Sequence, residues 1–387
     1  GFFPSFSAAY RISEEAFFEP LRKTVDNLKI RLSYGSLGNQ QIGYYDFIQT
    51  ITTKGSMGDY SFDGTILGQH ATVSDPVSGN QTWEKVISKN LGADLNMFSN
   101  RLSLTADFYI RDTKGILGKG KSLPSIYGAN EPQVNSNNLR TKGYELVLGW
   151  RDSFKLAGST FSYGITGTFS DYTAEYTKCD NPSGLIGDPY VGKKYGEIWG
   201  YKVDGLFRND EEAAEYASRV DLSKVAAGYY SATGAYGKGV RGGDIKYLDL
   251  NGDGVVDSYD VKPIGYTAIP EIVYGFGFSL QWKAFDFSAF FQGVGHVNFS
   301  TRTDQTQGFI ARNSREANLF SDVYDNYWTP ERLDAKYPRL FIGTNNNNNQ
   351  NSSFWMANGR YMRLKNLEIG YTLPKHISQK MAMQNMR

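Results

Sequence analysis

Apolar and polar residues take turns along this chain. Leu102, Leu104, Ala106, Phe108 and Ile110 alternate with Ser103, Thr105, Asp107, Tyr109 and Arg111, the period of a strand with one apolar and one polar face. Leu28, Ile30, Leu32 and Tyr34 alternate likewise with Lys29, Arg31, Ser33 and Gly35, and Tyr274, Phe276, Phe278, Leu280 and Trp282 with Gly275, Gly277, Ser279 and Gln281. Strands are also predicted over 5–12, 90–97, 144–150, 161–169, 285–292 and 367–373, with Val147 and Phe290 as apolar exceptions on the polar face. The count comes to roughly a dozen strand candidates.

The links between strands fall into two classes. Residues 98–100, 153–158 and 283–284 are short links, whereas 112–142, 171–195 and 294–360 are long. An outer-membrane barrel has short turns at one rim, long loops at the other, and strands of about 9 to 11 residues. A soluble sandwich or propeller shows the same alternation with less reason to segregate its loops. Within the loops, Arg208 to Ala217 predicts a short helix with Asn209 as N-cap and Glu212 at the capping-box position. The run Asn345 to Asn349 reads as solvated surface.

Composition sharpens the fold class. With 27 Tyr, 24 Phe and 42 Gly, the chain is rich in strand formers and turn residues, so it reads as all-β. A net charge of +1 supplies no global field for nucleic acid phosphates. Mean hydropathy is −0.46, and no run nears the roughly 18 apolar residues of a membrane helix, a length that barrel strands do not need. Cys179 has no cysteine to pair with, and His70, His296 and His376 are far apart in sequence, which argues against a disulfide framework or a histidine-based site. The opening Gly1-Phe2-Phe3-Pro4 has no secretory pattern, and the chain stops at Met386-Arg387 soon after Pro374. Both ends read as cuts.

The sharpest chemical signal is Asp249 to Asp260. A 12-residue calcium loop offers oxygens from positions 1, 3, 5, 7, 9 and 12, with glycine at the sharp turn. Here those are Asp249, Asn251, Asp253, the Val255 carbonyl, Asp257 and Asp260, with Gly254 at the turn. Position 12 is Asp rather than Glu, and no helical pattern leads in. The loop therefore reads either as a stand-alone calcium site or as a hairpin whose carboxylates make Asx-turns. By parity of spanning strands, it belongs at the long-loop rim.

Other candidates are weaker. Glu14-Glu15 and Glu211-Glu212 are adjacent, so their carboxylates point apart. There is no Gly-Xaa-Ser-Xaa-Gly elbow and no Walker loop. Gly275-Phe276-Gly277 lies inside a strand, where glycine permits close backbone approach. The loop aromatics Tyr229, Tyr230, Tyr236, Tyr324, Tyr327 and Trp328 either stack on sugar rings or pack the loops together.

Ordered motifs over nearly the whole chain carry a resemblance. They begin with Phe3-Pro4-Ser5-Phe6-Ser7, Arg11-Ile12-Ser13-Glu14-Glu15, Leu28 to Gly35, Gly38-Asn39-Gln40 and Trp83-Glu84-Lys85. They continue with Asn100-Arg101-Leu102, Tyr109, Lys142-Gly143-Tyr144-Glu145, Gly200 to Gly205 and Gly243-Asp244-Ile245-Lys246-Tyr247. Phe285-Asp286-Phe287, Phe291-Gln292-Gly293, Phe354-Trp355, Tyr361 to Leu367 and Gly370-Tyr371 with Leu373-Pro374 complete the series. In this order they resemble the C-terminal half of SusC/RagA-type TonB-linked outer-membrane transporters.

The resemblance implies a transmembrane antiparallel barrel of about 22 strands with a plugged lumen, of which residues 1–387 would be the C-terminal portion. It places the plug, the TonB box and the last strand outside this sequence, and Arg387 departs from the usual aromatic end. It implies import of large nutrients, glycans or peptides, across the outer membrane of Gram-negative bacteria, driven through TonB and capped by a SusD-like surface lipoprotein. The polar residues Lys29, Arg31, Asp107 and Arg111 would line the lumen. Two other classes stay open on the residues alone: a soluble or surface-displayed glycan-binding β-protein with a calcium loop, and a polysaccharide-processing enzyme, which the absence of paired acids disfavours.

Overall fold

The computed structural model describes residues 2–40, 48–55, 61–62, 65–66, 69–79, 81–120, 123–181, 184, 186–226, 229–231, 234–236, 239–303, 306, 319–341, 344–380, 383 and 386–387. The chain forms two compact units: residues 1–195, 272–293 and 362–387, and residues 196–271 and 294–361.

The first unit is one antiparallel sheet. Its strands are β1 (Ser5–Arg11), β2 (Val25–Asn39), β3 (Glu84–Met97), β4 (Leu102–Lys119), β5 (Gln133–Leu156), β6 (Ser159–Lys178), β7 (Ile272–Trp282), β8 (Phe285–Gly295) and β9 (Tyr361–Tyr371). Sheet order follows chain order throughout. Each of the nine overlaps a stretch predicted from alternation, against the expected count of roughly a dozen, and among the described residues this sheet holds nine. The other described strands are short pairs and one three-stranded ribbon.

Strand ends differ from the sequence reading. The 112–142 link shrinks to 120–132, because β4 and β5 stay paired from Arg111↔Thr141 out to Lys119↔Gln133. Beyond Ile110 both faces carry polar residues, so the alternation fades while the backbone ladder continues. Likewise the 153–158 link contracts to Ala157-Gly158, since Phe154 still pairs with Phe161 and Leu156 with Ser159. Ala157 (φ 49°), Gly158 (φ 76°) and Lys283 (φ 55°) are left-handed, as tight hairpins that follow the strand twist require.

Register sorts the side chains into rows. Leu32, Leu91, Phe108 and Tyr144 stand abreast on one face, as do Leu28, Leu95, Leu104 and Leu148. On the other face the corresponding row is Arg31, Gly92, Asp107 and Glu145. The apolar face is bare: Phe108 is 54% exposed, Leu91 48% and Ile165 52%. A continuous apolar surface of this extent is what a strand wall offers to lipid. Phe290, the apolar exception on β8, lies against Gly275 and Gly277 of β7.

The second unit has a conventional core of Phe207, Ala213, Leu222, Val225, Ile245, Tyr247, Val256 and Trp355. Its helix α1 (Asp210–Arg219) starts as expected: the Asn209 side chain accepts from the Glu212 amide, and Glu212 accepts from Arg208 N–H. Both stretches of this unit are inserted where strands end opposite the tight turns, between β6 and β7 and between β8 and β9. β6 and β7 pair directly, with Asp171 opposite Ile272, and among the described residues between them no further strand joins this sheet.

Candidate functional site

On the polar face, one arginine ties three strands together. Arg31 of β2 donates from Nε and Nη2 to Asp94 of β3 at 2.9 and 3.1 Å, and from Nη1 and Nη2 to Asp107 of β4 at 3.0 and 2.9 Å. Thr105 adds a hydroxyl to Asp94 at 3.4 Å. The guanidinium crosses β3 at Gly92, where a Cβ would lie 2.6 Å from both Arg31 Cζ and Asp107 Oδ1. Only glycine leaves that passage open. With both carboxylates engaged in two-point contacts, the Arg31 group is a brace of the wall. Lys29 and Arg111 share its face by register, and the Arg111 guanidinium lies 5.9 Å from the Tyr109 ring. Arg31 and Asp107 were legible as polar-face residues. Asp94 and Gly92 were missed, because their role depends on which strands are neighbours.

The second unit is organised around a buried carboxylate. Asp244 is fully buried and accepts from Arg339 Nε at 2.8 Å, Asn345 Nδ2 at 2.9 Å, Asn348 Nδ2 at 3.0 Å and the Arg241 amide at 2.9 Å. Asn348 also accepts from the Ile245 amide, Asn347 donates to the Ile245 carbonyl, and Tyr247 O–H donates to the Asn347 carbonyl. The run Asn345 to Asn349 is therefore not solvated surface: Asn345, Asn347 and Asn348 are buried. Their amides satisfy Asp244 and the backbone of the Gly243 to Tyr247 motif, a buried network that is stable because it is hydrogen-bonded. Burial pushes the Tyr216 and Tyr201 phenols above the ordinary phenol value, with nearby carboxylates adding to it, Asp249 and Asp204 for Tyr216 and Asp257 and Asp260 for Tyr201.

The Asp249 to Asp260 loop is held by its own side chains. Asp249 accepts from the Gly252 and Gly254 amides at 2.7 and 2.8 Å, and Asp253 from the Val255 amide at 2.9 Å and Asn251 Nδ2 at 2.9 Å. Asp257 accepts from the Tyr259 amide at 2.8 Å. Asp260, fully buried, accepts from the Leu250, Asn251 and Asp257 amides. Val256 anchors the loop in the core, and its amide bonds the Asp221 carbonyl. Among the described residues no three carboxylate, histidine or cysteine side chains are grouped as a metal cluster. A carboxylate has about four acceptor sites, so Asp249, Asp253 and Asp257 retain capacity for a cation, while Asp260 serves chiefly as a cap.

The aromatic candidates separate. Trp328 packs on Gly243, whose φ is +81° and where a Cβ would lie 2.4 Å from the indole. Tyr324 is 65% exposed, and its ring lies 6.3 Å from that of Tyr327. Tyr229, Tyr230 and Tyr236 belong to a short hairpin, Tyr229–Ser231 with Gly234–Tyr236, and their side chains lie outside the described residues, as does that of His70.

Comparison with known proteins fits this geometry. The chain is 27% identical over 403 residues to TonB-dependent receptor P3 of Formosa agariphila, covering 100% of this chain and 36% of that protein. It is 24% identical over 390 residues to TonB-dependent receptor SusC of Bacteroides thetaiotaomicron, covering 96% of this chain and 34% of SusC. The chain thus spans about a third of the length of these relatives. Among solved structures, the RagAB peptide transporter superimposes with a TM-score of 0.65 at 20% identity, covering 97% of this chain and 37% of that one. The RagAB peptide importer in its open-open state gives 0.67 at 19% identity, with the same two coverages. At that identity the superpositions establish the fold. The profile of the family described as TonB dependent receptor-like, beta-barrel matches residues 1–267; with well over half of its length so matched, the chain belongs to this outer-membrane β-barrel family.

Proposed function

We propose that this chain supplies barrel wall and loops to an outer-membrane importer of large nutrients, glycans or peptides. The observation that carries the reading is the nine-stranded sheet with a bare apolar face and a charged face braced by Arg31, in a chain similar along its whole length to TonB-dependent receptors. Such a wall separates lipid from a wet lumen. Energy would come through TonB acting on a plug, and a SusD-like surface lipoprotein would hand over substrate. The reading is transport and not catalysis. It is tested by deleting the gene and feeding cells fluorescent oligosaccharides and oligopeptides of graded size. Loss of uptake of one class supports import; unchanged uptake of both classes overturns it.

For the Asp249 to Asp260 loop we propose calcium as a stiffening ligand, held by Asp249, Asn251, Asp253, the Val255 carbonyl and Asp257, with Asp260 closing the loop from inside. The spare acceptor capacity of Asp249 and Asp253 supports this reading. A cation there would fix the loop and take no part in chemistry. The exposed Tyr324 with its neighbour Tyr327 is the aromatic pair we assign to substrate contact.

A further inference from the structure

The apolar face carries a groove of about 630 Å³ where its apolar band ends. One wall is the row Leu32, Leu91, Phe108 and Tyr144, and the other is the next row on the same face, Lys89, Ile110, Lys142 and Thr173. The intervening row contributes the floor at Ser33, Asn90 and Gly143. No residue of the next row beyond it on the polar face lines the groove, so it opens on the lipid side.

Charge singles this groove out. Lys89 and Lys142 are exposed and flank Ile110, and neither forms an ion pair with a carboxylate among the described residues. They lie two strands apart, about 10 Å between backbones. Two rows further from the apolar band, Lys85 and Lys114 stand opposite each other on the same face. In the row between these, Arg140 engages Asp112 at 2.6 Å and stands opposite Glu175, and Asp171 lines the β6 end of the groove, so these three carboxylates face Lys85, Lys89, Lys114, Arg140 and Lys142. The balance along the rim is positive.

A hydrocarbon-lined groove edged by cations at the limit of a lipid-facing surface fits one class of ligand. We infer that it binds a phosphate-bearing, acylated lipid, with phosphate at Lys89 and Lys142 and the first methylenes of the acyl chains against Leu91, Phe108 and Tyr144. Free phosphate would lack the apolar contacts, and an uncharged diacylglycerol would leave the lysines unmatched. The inference rests on this face meeting lipid and is independent of which nutrient is imported.

The test uses the intact protein, delipidated in detergent and titrated with dioleoyl phosphatidic acid, dioleoylglycerol or inorganic phosphate under native mass spectrometry. Phosphatidic acid adducts are expected, and each of Lys89→Gln and Lys142→Gln should weaken them about fivefold. Lys29→Gln, on the opposite face, should leave them unchanged, and heat-modifiable gel mobility reports that the variants are folded. Loss of adducts in the folded double variant supports the site even where uptake of every nutrient tested is absent. Equal adducts in wild type and double variant overturn it, as does equal retention of dioleoylglycerol or binding of inorganic phosphate alone.

Discussion

Arg31 and Asp107 face each other at 2.9 Å from β2 and β4, across a third strand that contributes only Gly92 between them. The contact joins residues 76 apart in sequence and is possible because β3 has no side chain at the crossing point.

Filling that passage should therefore unlock the wall. Gly92→Val is expected to displace the guanidinium and leave Asp94 and Asp107 facing each other without their cation, at a cost of about 1–3 kcal/mol. Urea titration of the refolded intact barrel, read by tryptophan fluorescence, checks this. A midpoint unchanged from wild type would mean that the brace contributes nothing to stability.

The two faces of β4 should respond oppositely to charge. Leu104→Arg at mid-strand places a guanidinium on the lipid side, costing about 2–4 kcal/mol, while Thr105→Arg points to the polar side. Heat-modifiable mobility of membrane-inserted protein should show impaired assembly for the first and near-normal assembly for the second. Equal effects would contradict the assigned facing.

Asp244→Ala takes from Arg339, which is 18% exposed at its side chain, the carboxylate it bonds, and does the same to the side-chain amides of Asn345 and Asn348. Breaking one partner of a buried pair costs about 3–5 kcal/mol. Limited proteolysis should cut within 196–271 and 294–361 in the variant while the barrel strands stay protected. Persistence of the wild-type digestion pattern would remove the buried network from the account.

Acid should loosen the same unit. The Arg208 amide and the Lys246 ammonium hold the Glu212 carboxyl below its usual range, and the Ser223 amide and hydroxyl do the same for Asp221. A depressed folded-state pKa contributes stability that is complete above the unfolded value, about 4, and disappears as pH falls through the folded value. Protease resistance of the unit should hold from pH 7 to about 5 and fall below about 4. Glu212→Gln should be less resistant at pH 7 and show a shallower fall.

Terbium tests the proposed cation. Tyr259, 66% exposed and inside the loop, should sensitise terbium luminescence in the intact protein. Asp253→Ala should abolish the signal and excess calcium should compete it away. An undiminished signal in the variant would return the loop to self-contained Asx-turns.

Much of this protein is legible in its sequence. Burial on one face of a strand imposes a period of two, so Leu102 to Ile110 and Tyr274 to Trp282 announce both a strand and which side is apolar. The Asn209 cap and its Glu212 partner are equally local, since both contacts span three or four residues. The lipid-side reading of Leu104 and the polar-side reading of Arg31 follow from the same alternation.

What only the tertiary structure decided is everything that depends on neighbours far apart in the chain. Alternation fades beyond Ile110, where polar residues occur on both faces, so the continuation of β4 to Lys119 and β5 from Gln133 was set by backbone pairing that leaves no pattern in the side chains. Asn345 to Asn349 looks solvated because asparagine usually is; burial was decided by Asp244, about a hundred residues earlier, which needed their amides. Gly92 carries no local sign of its role, because a missing side chain acquires meaning only when Arg31 and Asp107 are brought to either side of it.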